Sequence, residues 1–192
     1  MKYLFHISLV FILLASFHNS HAKCIRVGKN QYCKSIHKPL DISNNADTIL
    51  VDAVVYREKN ILISKSISLI GVNYPVLDGE NKIEVLSVKA NHVLISGFKI
   101  IHTGSGTPDD PAGIKLYDCK YVTVSNNQLE DTFFGIYVQY GINCKIKNNT
   151  LLAFGKEEQE IGNGIHCWKS DSLQVTGNRV EGHRDGIYFE FV

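Results

Sequence analysis

One register runs through most of this chain. The dipeptide Gly-Ile stands at Gly113-Ile114, Gly135-Ile136, Gly164-Ile165 and Gly186-Ile187, at intervals of 22, 29 and 22 residues. A second series, Val122-Thr123-Val124, Cys144-Lys145-Ile146 and Leu173-Gln174-Val175, repeats with the same intervals of 22 and 29. Val93-Leu94-Ile95 extends it backwards by 29 residues, and Ile67-Ser68-Leu69 is a looser, earlier copy. One apolar residue closes each unit, at Ile100, Leu129, Leu151 and Val180. Periods of this length fix the architecture before local propensity is weighed.

Within a unit the apolar residues alternate in short runs broken by Gly, Asn, Ser or Asp. Alternation with period two indicates strands with one buried face. Runs this short cannot bury a face alone, so they must stack on their neighbours as a solenoid. The expected fold is all-β, a right-handed single-stranded parallel β-helix. Its interior columns are Ile114, Ile136, Ile165, Ile187 and Leu116, Val138, Cys167, Phe189. Asn127, Asn149 and Asn178 share one turn register, where amides can bond up and down the stack as a ladder. Cys144 shares the column of Val122 and Leu173, so it reads as a small core residue like Cys167. Cys119 aligns with Gly141 at a turn and is expected to be an accessible thiol.

The ends differ from the middle. Lys2, an apolar stretch from Tyr3 to Phe17, and small residues at Ser20 and Ala22 have the pattern of a cleaved signal peptide over residues 1–22. Residues 23–48 carry no repeat and form a lead-in, with a short helix between Ser35 and Ser43 expected to cap the open end. Coils are expected over 49–192. Residues 186–192 form a full-strength interior strand at which the chain stops, so the sequence reads as a stack truncated at its C-terminal end. The whole chain holds 20 basic and 19 acidic residues, and Lys2 is the one charged residue within the signal peptide. That balance gives no reason to expect nucleic acid or an anionic membrane as partner. All five cysteines lie after the signal peptide. Cys24 and Cys33 could close a small loop or stay unpaired.

The unequal intervals locate two insertions, HTGSGTPDDPA and LAFGKEEQEIGN, at one corner of alternate coils. Strands stack ~4.8 Å apart, which puts these loops ~10 Å from one another. They carry Asp109, Asp110, Glu157, Glu158 and Glu160, and short connections add Glu130, Asp131, His183, Arg184 and Asp185. Such a cluster is either a solvated acidic edge or a wall that attracts a cation or basic partner. Behind it, alternation places Lys115, Tyr137, His166 and Tyr188 in one outward column, and Tyr117, Gln139, Trp168 and Glu190 in the next. Aromatic rings beside a polar rim suit protein docking or sugar stacking, unless a loop covers them. The candidate binding residues are Asp131, Tyr137, Glu157, Glu158, Glu160, Trp168, Arg184, Asp185 and Tyr188. For a metal, His102, His166 and His183 are the residues that could converge. His166 and Cys167 cannot share an ion, because neighbours on a strand point to opposite faces.

The run ADTILVDAVVYREKNILISKSISLIGVNYPVLDG resembles the entry segment of the NosD family of nitrous oxide reductase maturation proteins. GNGIHCWKSDSLQVTGN and GHRDGIYFEFV resemble that family equally, so the likeness covers about residues 47–192. Residues 23–46 match poorly, and Val54-Val55 stand where such segments commonly have a glycine. The resemblance implies a pectin-lyase-like β-helix that is periplasmic and not an enzyme. It implies an accessory role beside an ABC transporter ATPase and membrane subunit in assembling the copper centre of nitrous oxide reductase. Copper enters through the resemblance alone. The competing class is a polysaccharide-binding or polysaccharide-cleaving β-helix, for which Asp131, Asp185 and Glu190 would be the carboxylates to consider.

Overall fold

The structure is a computed structural model that describes residues 22–82, 84–104, 110–155 and 161–192. The expected signal peptide, apart from Ala22, lies outside them. Among the described residues no helix is long and apolar enough to cross a membrane.

Each coil supplies one short strand to each of three sheets. The chain enters through β1 (Cys24–Val27) and α1 (His37–Ile42). The coils then run β2 (Thr48–Val51), β3 (Val55–Tyr56), β4 (Ile61–Ile63); β5 (Ser68–Gly71), β6 (Val76–Asp78), β7 (Leu86–Val88); and β8 (Leu94–Ser96), β9 (Lys99–Ile101), β10 (Ala112–Tyr117). Next come β11 (Thr123–Ser125), β12 (Gln128–Glu130), β13 (Phe134–Gln139); β14 (Lys145–Lys147), β15 (Thr150–Leu152), β16 (Ile165–Trp168); and β17 (Gln174–Thr176), β18 (Arg179–Glu181), β19 (Ile187–Glu190). The first sheet has the order β1-β2-β5-β8-β11-β14-β17, the second β3-β6-β9-β12-β15-β18, and the third β4-β7-β10-β13-β16-β19. Every strand pairs parallel with the one a coil away. Register pairs Ile114 with Ile136, Ile136 with Ile165, and Ile165 with Ile187, as the Gly-Ile repeat requires.

Packing explains why glycine precedes those isoleucines. A Cβ on Gly113, Gly135 or Gly164 would stand 2.7, 2.3 or 2.3 Å from a side-chain carbon of Leu129, Leu151 or Val180. The closing residue of each unit thus folds against the glycine that opened it, and any side chain there would hold the coil open. The enclosed core is dry. Ile49, Leu69, Ile95, Val124 and Ile146 are fully buried along the first sheet, as are Leu77, Ile100, Leu129 and Leu151 along the second. Burying one such side chain is worth about 1.5–3 kcal/mol. At the last coil the interior column opens, with Ile187 and Phe189 exposed.

Turn chemistry bends the coils. The residue before each ladder position has positive φ, at Gly97, Asn126, Asn148 and Gly177. Glycine and asparagine tolerate that region best. The amide ladder then forms as its register requires. Asn127 Nδ2 donates to Asn149 Oδ1 (3.0 Å), and Asn149 Nδ2 donates to Asn178 Oδ1 (3.0 Å). Each also donates to a strand carbonyl of the coil before, Ile95 O and Val124 O respectively.

The lead-in departs from expectation in one respect. β1 pairs in register with β2, so the first sheet begins at Cys24, ahead of the first full coil. α1 occupies the stretch between Ser35 and Ser43, and Ile36 and Leu40 enter the main core beside it. Glu58 accepts from the Ile36 N–H (2.9 Å) and Ser35 Oγ (2.8 Å), while Lys65 Nζ donates to the carbonyls of Leu40, Asp41 and Ser43. Both ends of the helix are therefore tied to coils. Val54 and Val55 make their turn without a positive φ, which removes the need for glycine there.

The cysteines correct one expectation. Cys119 is fully buried, because its turn points the side chain inward beneath Cys144. Cys24 is exposed and Cys33 buried, and all five thiols are unlinked.

Candidate docking face and its corner

Both insertions leave the stack between the second and third sheets, one between β9 and β10 and the other between β15 and β16. Glu157, Glu158, Glu160 and Asp109 lie outside the described residues. The described ends of the insertions converge on one dipeptide. Phe134 N donates to Pro111 O (3.1 Å), and Gly162 N donates to Phe133 O (3.0 Å). Phe133 N also donates to Thr103 Oγ1 at 2.7 Å.

The two phenylalanine rings meet edge-on at 5.0 Å, and Phe134 packs on Tyr137 and His166, each at 5.3 Å. Tyr137 and His166 are 4.7 Å apart, and His166 meets Tyr188 at 5.3 Å. The outward column is therefore largely covered. Lys115, Tyr137 and His166 are 5%, 7% and 7% exposed, whereas Tyr188 is 41% exposed. Trp168 is half-buried and meets Tyr140 at 4.9 Å. The open part of the face is thus Trp168, Tyr140 and Tyr188.

A polar chain runs behind the rings. Arg184 Nη2 donates to Asn163 Oδ1 (3.2 Å), which turns the Asn163 amide nitrogen towards His166 Nδ1 (3.0 Å). Arginine only donates, so Nδ1 accepts and the ring proton of neutral His166 sits on Nε2. Glu190 Oε2 is 3.4 Å from that nitrogen, close enough for attraction but outside hydrogen-bond geometry. Burial pushes the His166 pKa below its ordinary value, against the opposing pull of Glu190 and Asp110. His183 is likewise lowered by burial. Its Nδ1–H donates to Gly162 O (3.3 Å), leaving Nε2 as a bare acceptor. With Thr132 Oγ1, these make three buried side-chain polar atoms lacking a hydrogen-bond partner among the described residues. All three lie at this corner. Orphaned buried groups are rare in folded proteins and need an explanation.

The three histidines do not converge. His102 turns back down the stack, its Nδ1 2.9 Å from Asp78 Oδ1, and Arg57 Nε holds the other oxygen at 3.2 Å. His183 faces Gly162, while His166 lies on the outer face of the third sheet. Among the described residues no three His, Cys, Asp or Glu side chains meet so as to hold a metal ion. Asp131 is exposed in the turn after β12, and Arg184 pairs with neighbouring Asp185 (3.5 Å) at the surface.

The second outward column borders a groove of about 410 Å³ lined by Lys89, Tyr117, Asp118, Gln139 and Tyr140. Lys89 Nζ stands 4.9 Å over the Tyr117 ring, and Lys169 Nζ stands 4.6 Å over Trp168. At the other end of this face Glu84 is held by the Tyr117 hydroxyl (3.0 Å), Asn60 Nδ2 (3.3 Å) and the Ser87 hydroxyl. Glu84 reaches β10 and Glu190 lies on β19, three strand spacings or ~14 Å apart. Glycoside hydrolysis by paired carboxylates needs a separation of about 5–9.5 Å.

Phe133, Phe134, Asn163 and Glu84 were not candidates from sequence. A signal for two of them existed: positions 112, 134, 163 and 185 share one register, filled by Ala, Phe, Asn and Asp. A buried amide in that column could have been read as a partner for a polar neighbour. Glu84 falls in a unit too irregular for register to place.

Residues 12–190 match a family described as right handed beta helix region. A comparison with curated proteins found no match. Among solved structures the chain is similar to pectin methylesterase from Aspergillus niger in a penultimately deglycosylated form. That likeness has 14% identity and a TM-score of 0.37, and covers 87% of this chain and 83% of that one. The deglycosylated form of the same enzyme gives 13% identity and a TM-score of 0.36 with the same coverage. Similarity at this level carries nothing about activity.

Proposed function

The chain belongs to the family defined by a right handed beta helix region, and on that premise we propose that it is an exported, non-catalytic accessory protein. Its task in this proposal is assembly of the copper centre of nitrous oxide reductase in the periplasm, beside an ABC transporter. The observation that carries a docking role is the corner itself. Three buried polar atoms there lack a hydrogen-bond partner among the described residues, beside the open rings of Trp168, Tyr140 and Tyr188. A partner loop that supplied an acceptor to His166 Nε2 and a donor to His183 Nε2 would complete what the coils leave incomplete. The choice of partner rests on the resemblance over residues 47–192. Copper would be cargo of the system.

A second reading, polysaccharide binding, is favoured by the groove, which combines Lys89, Gln139 and Asp118 with tyrosine rings. Deleting the gene in cells that make nitrous oxide reductase separates the two. Loss of the copper–sulfur centre from an otherwise normally accumulated reductase, restored by returning the gene, is the expected result. A normally loaded reductase, together with turnover of pectin or alginate by the purified protein, would reject the assembly role and the non-catalytic assignment.

A further inference from the structure

Asp47 is a buried carboxylate held by main chain alone. It is 1% exposed and stands directly before β2. Its Oδ2 accepts from the Asn44 N–H (2.8 Å) and its Oδ1 from the Lys23 N–H (2.7 Å). Those two N–H groups, Asn44 first and Lys23 second, hold the Asp47 carboxyl below its ordinary value against the opposing effect of burial. The side chains of Lys23 and Lys65 act on it only through their field, and Lys65 Nζ is spent on the carbonyls of Leu40, Asp41 and Ser43. A buried charge calls for a counter-charge as well as hydrogen bonds. The residue that donates to Oδ1 can supply one. Lys23 follows Ala22, the small residue that ends the expected signal peptide, and precedes β1. Thr48 N donates to Lys23 O (2.8 Å) and Cys24 pairs with Thr48, which fixes the Lys23 backbone opposite Asp47. Ala22 and Lys23 are both exposed, so the bond between them is open to a peptidase.

We propose that cleavage between Ala22 and Lys23 turns the nitrogen held by Asp47 into a charged amino terminus, and that the resulting ion pair locks β1 onto the stack. The proposal rests on the export in the reading above and is independent of the assembly role. Water is the co-reactant, and a signal peptidase of the exporting cell is the catalyst. The water oxygen bonds to the Ala22 carbonyl carbon as the Ala22–Lys23 C–N bond breaks. Ala22 departs as a carboxylate, and both water protons end on the Lys23 nitrogen, which becomes an ammonium. The nitrogen that donates to Asp47 is the same before and after. Its 2.7 Å separation from Oδ1 already suits a charge-assisted contact, for which about 2.7–2.9 Å is usual. Glu58 and Lys65 tie α1 to the coils, and the new terminus ties β1, so the lead-in is complete only once the leader is removed. A carboxylate at this distance raises the amine above its ordinary value of about 7.7–8.0. The stability it adds is full below that ordinary value and is lost as pH rises through the higher folded one.

The test exports the whole precursor from cells with a secretory pathway and reads the amino terminus of the product by intact mass. Trace acetic anhydride then labels its amines across a range of pH, and mass spectrometry of the first peptide gives the titration midpoint of the α-amine. The product should begin at Lys23. Its α-amine should titrate above the same amine in the urea-denatured chain, with roughly tenfold less labelling near neutral pH. Asp47→Asn keeps an oxygen acceptor but no charge, and should return the midpoint to the denatured value. The parent is compared with its own denatured chain, so the test stands even where Asp47→Asn fails to fold. A product that is uncleaved or begins elsewhere would remove the export premise and the proposal with it. Coincident midpoints in the folded and denatured parent would overturn the ion pair itself, as would a raised midpoint that persists in folded Asp47→Asn.

Discussion

At the turn between the first and second sheets, Asn127 and Asn149 bond both up and down the stack, whereas at the corner between the second and third sheets Thr132 Oγ1, His166 Nε2 and His183 Nε2 find no hydrogen-bond partner among the described residues. The same coils build both places, so the difference does not lie in the quality of the scaffold. It lies in repetition. Where one residue type recurs in register, each coil supplies what the next one needs. Where insertions interrupt the register, neighbouring coils supply different side chains, and buried polar atoms are left over. The first pattern makes a stack stable; the second makes one coil distinguishable from another, which a partner can recognise.

Breaking the core that both places share should give the largest effect. Ile136→Asp puts an unpaired carboxylate where every neighbour is a dry aliphatic side chain, at a cost above about 4 kcal/mol. Chemical denaturation should find little or no cooperative folded state. Stable, cooperative unfolding of the Ile136→Asp variant would mean that this column is wet.

The ladder comes next. Asn149→Leu keeps the volume but strands the Asn127 N–H and takes a donor from the Val124 carbonyl, while Asn127 Nδ2 keeps only Ile95 O and Asn178 Oδ1 keeps only the backbone N–H of residue 149. Losses of about 1–3 kcal/mol per orphaned group put the total near 3–5 kcal/mol. Asn163→Leu, its counterpart at the insertion corner, releases only Arg184 and His166 and should cost about 1–2 kcal/mol. Urea midpoints of the two variants measure the contrast directly. Equal losses would show the insertion corner to be as tightly specified as the ladder.

This contrast also separates what the sequence made legible from what it hid. The ladder, the interior columns and the Gly-Ile series could be read because each keeps one residue type or one apolar character at intervals of 22 or 29 residues. The lead-in strand β1 could not, since it joins the stack once and leaves no repeat. At the functional corner, register gave the outward direction of Tyr137 and His166 but not their burial. Phe133 and Phe134, which bring the cover, stand where the other coils carry different residues, so no repeated residue type marks them. The convergence of His102, His166 and His183 failed for a similar reason. A shared corner fixes where backbones pass, while Asp78 and Gly162 decide where two of the rings turn.

A smaller effect should appear with pH. His166 and His183 both have pKa values lowered by burial, so their neutral forms are favoured in the folded chain. Protonation therefore favours the unfolded chain. The stability they confer is complete above the unfolded value of about 6.5 and is lost as pH falls through their lower folded values. Melting should shift downwards between pH 7.5 and 5.5, and a His166→Gln, His183→Gln double variant should flatten that slope. The ladder holds no titrating group, so Asn149→Leu should leave the slope unchanged. An unaltered slope in the histidine variant would assign the loss to other groups.

The most direct test of the docking face is the copper content of nitrous oxide reductase in cells carrying Trp168→Ala and Tyr188→Ala in this protein. Both rings are partly open and outside the main core, so the variant should accumulate and melt near the parent. The proposed role predicts a reductase deficient in its copper–sulfur centre despite normal levels of both proteins. A fully loaded reductase beside a stably folded double variant would contradict it, and the face of Trp168 and Tyr188 would then be scaffold alone.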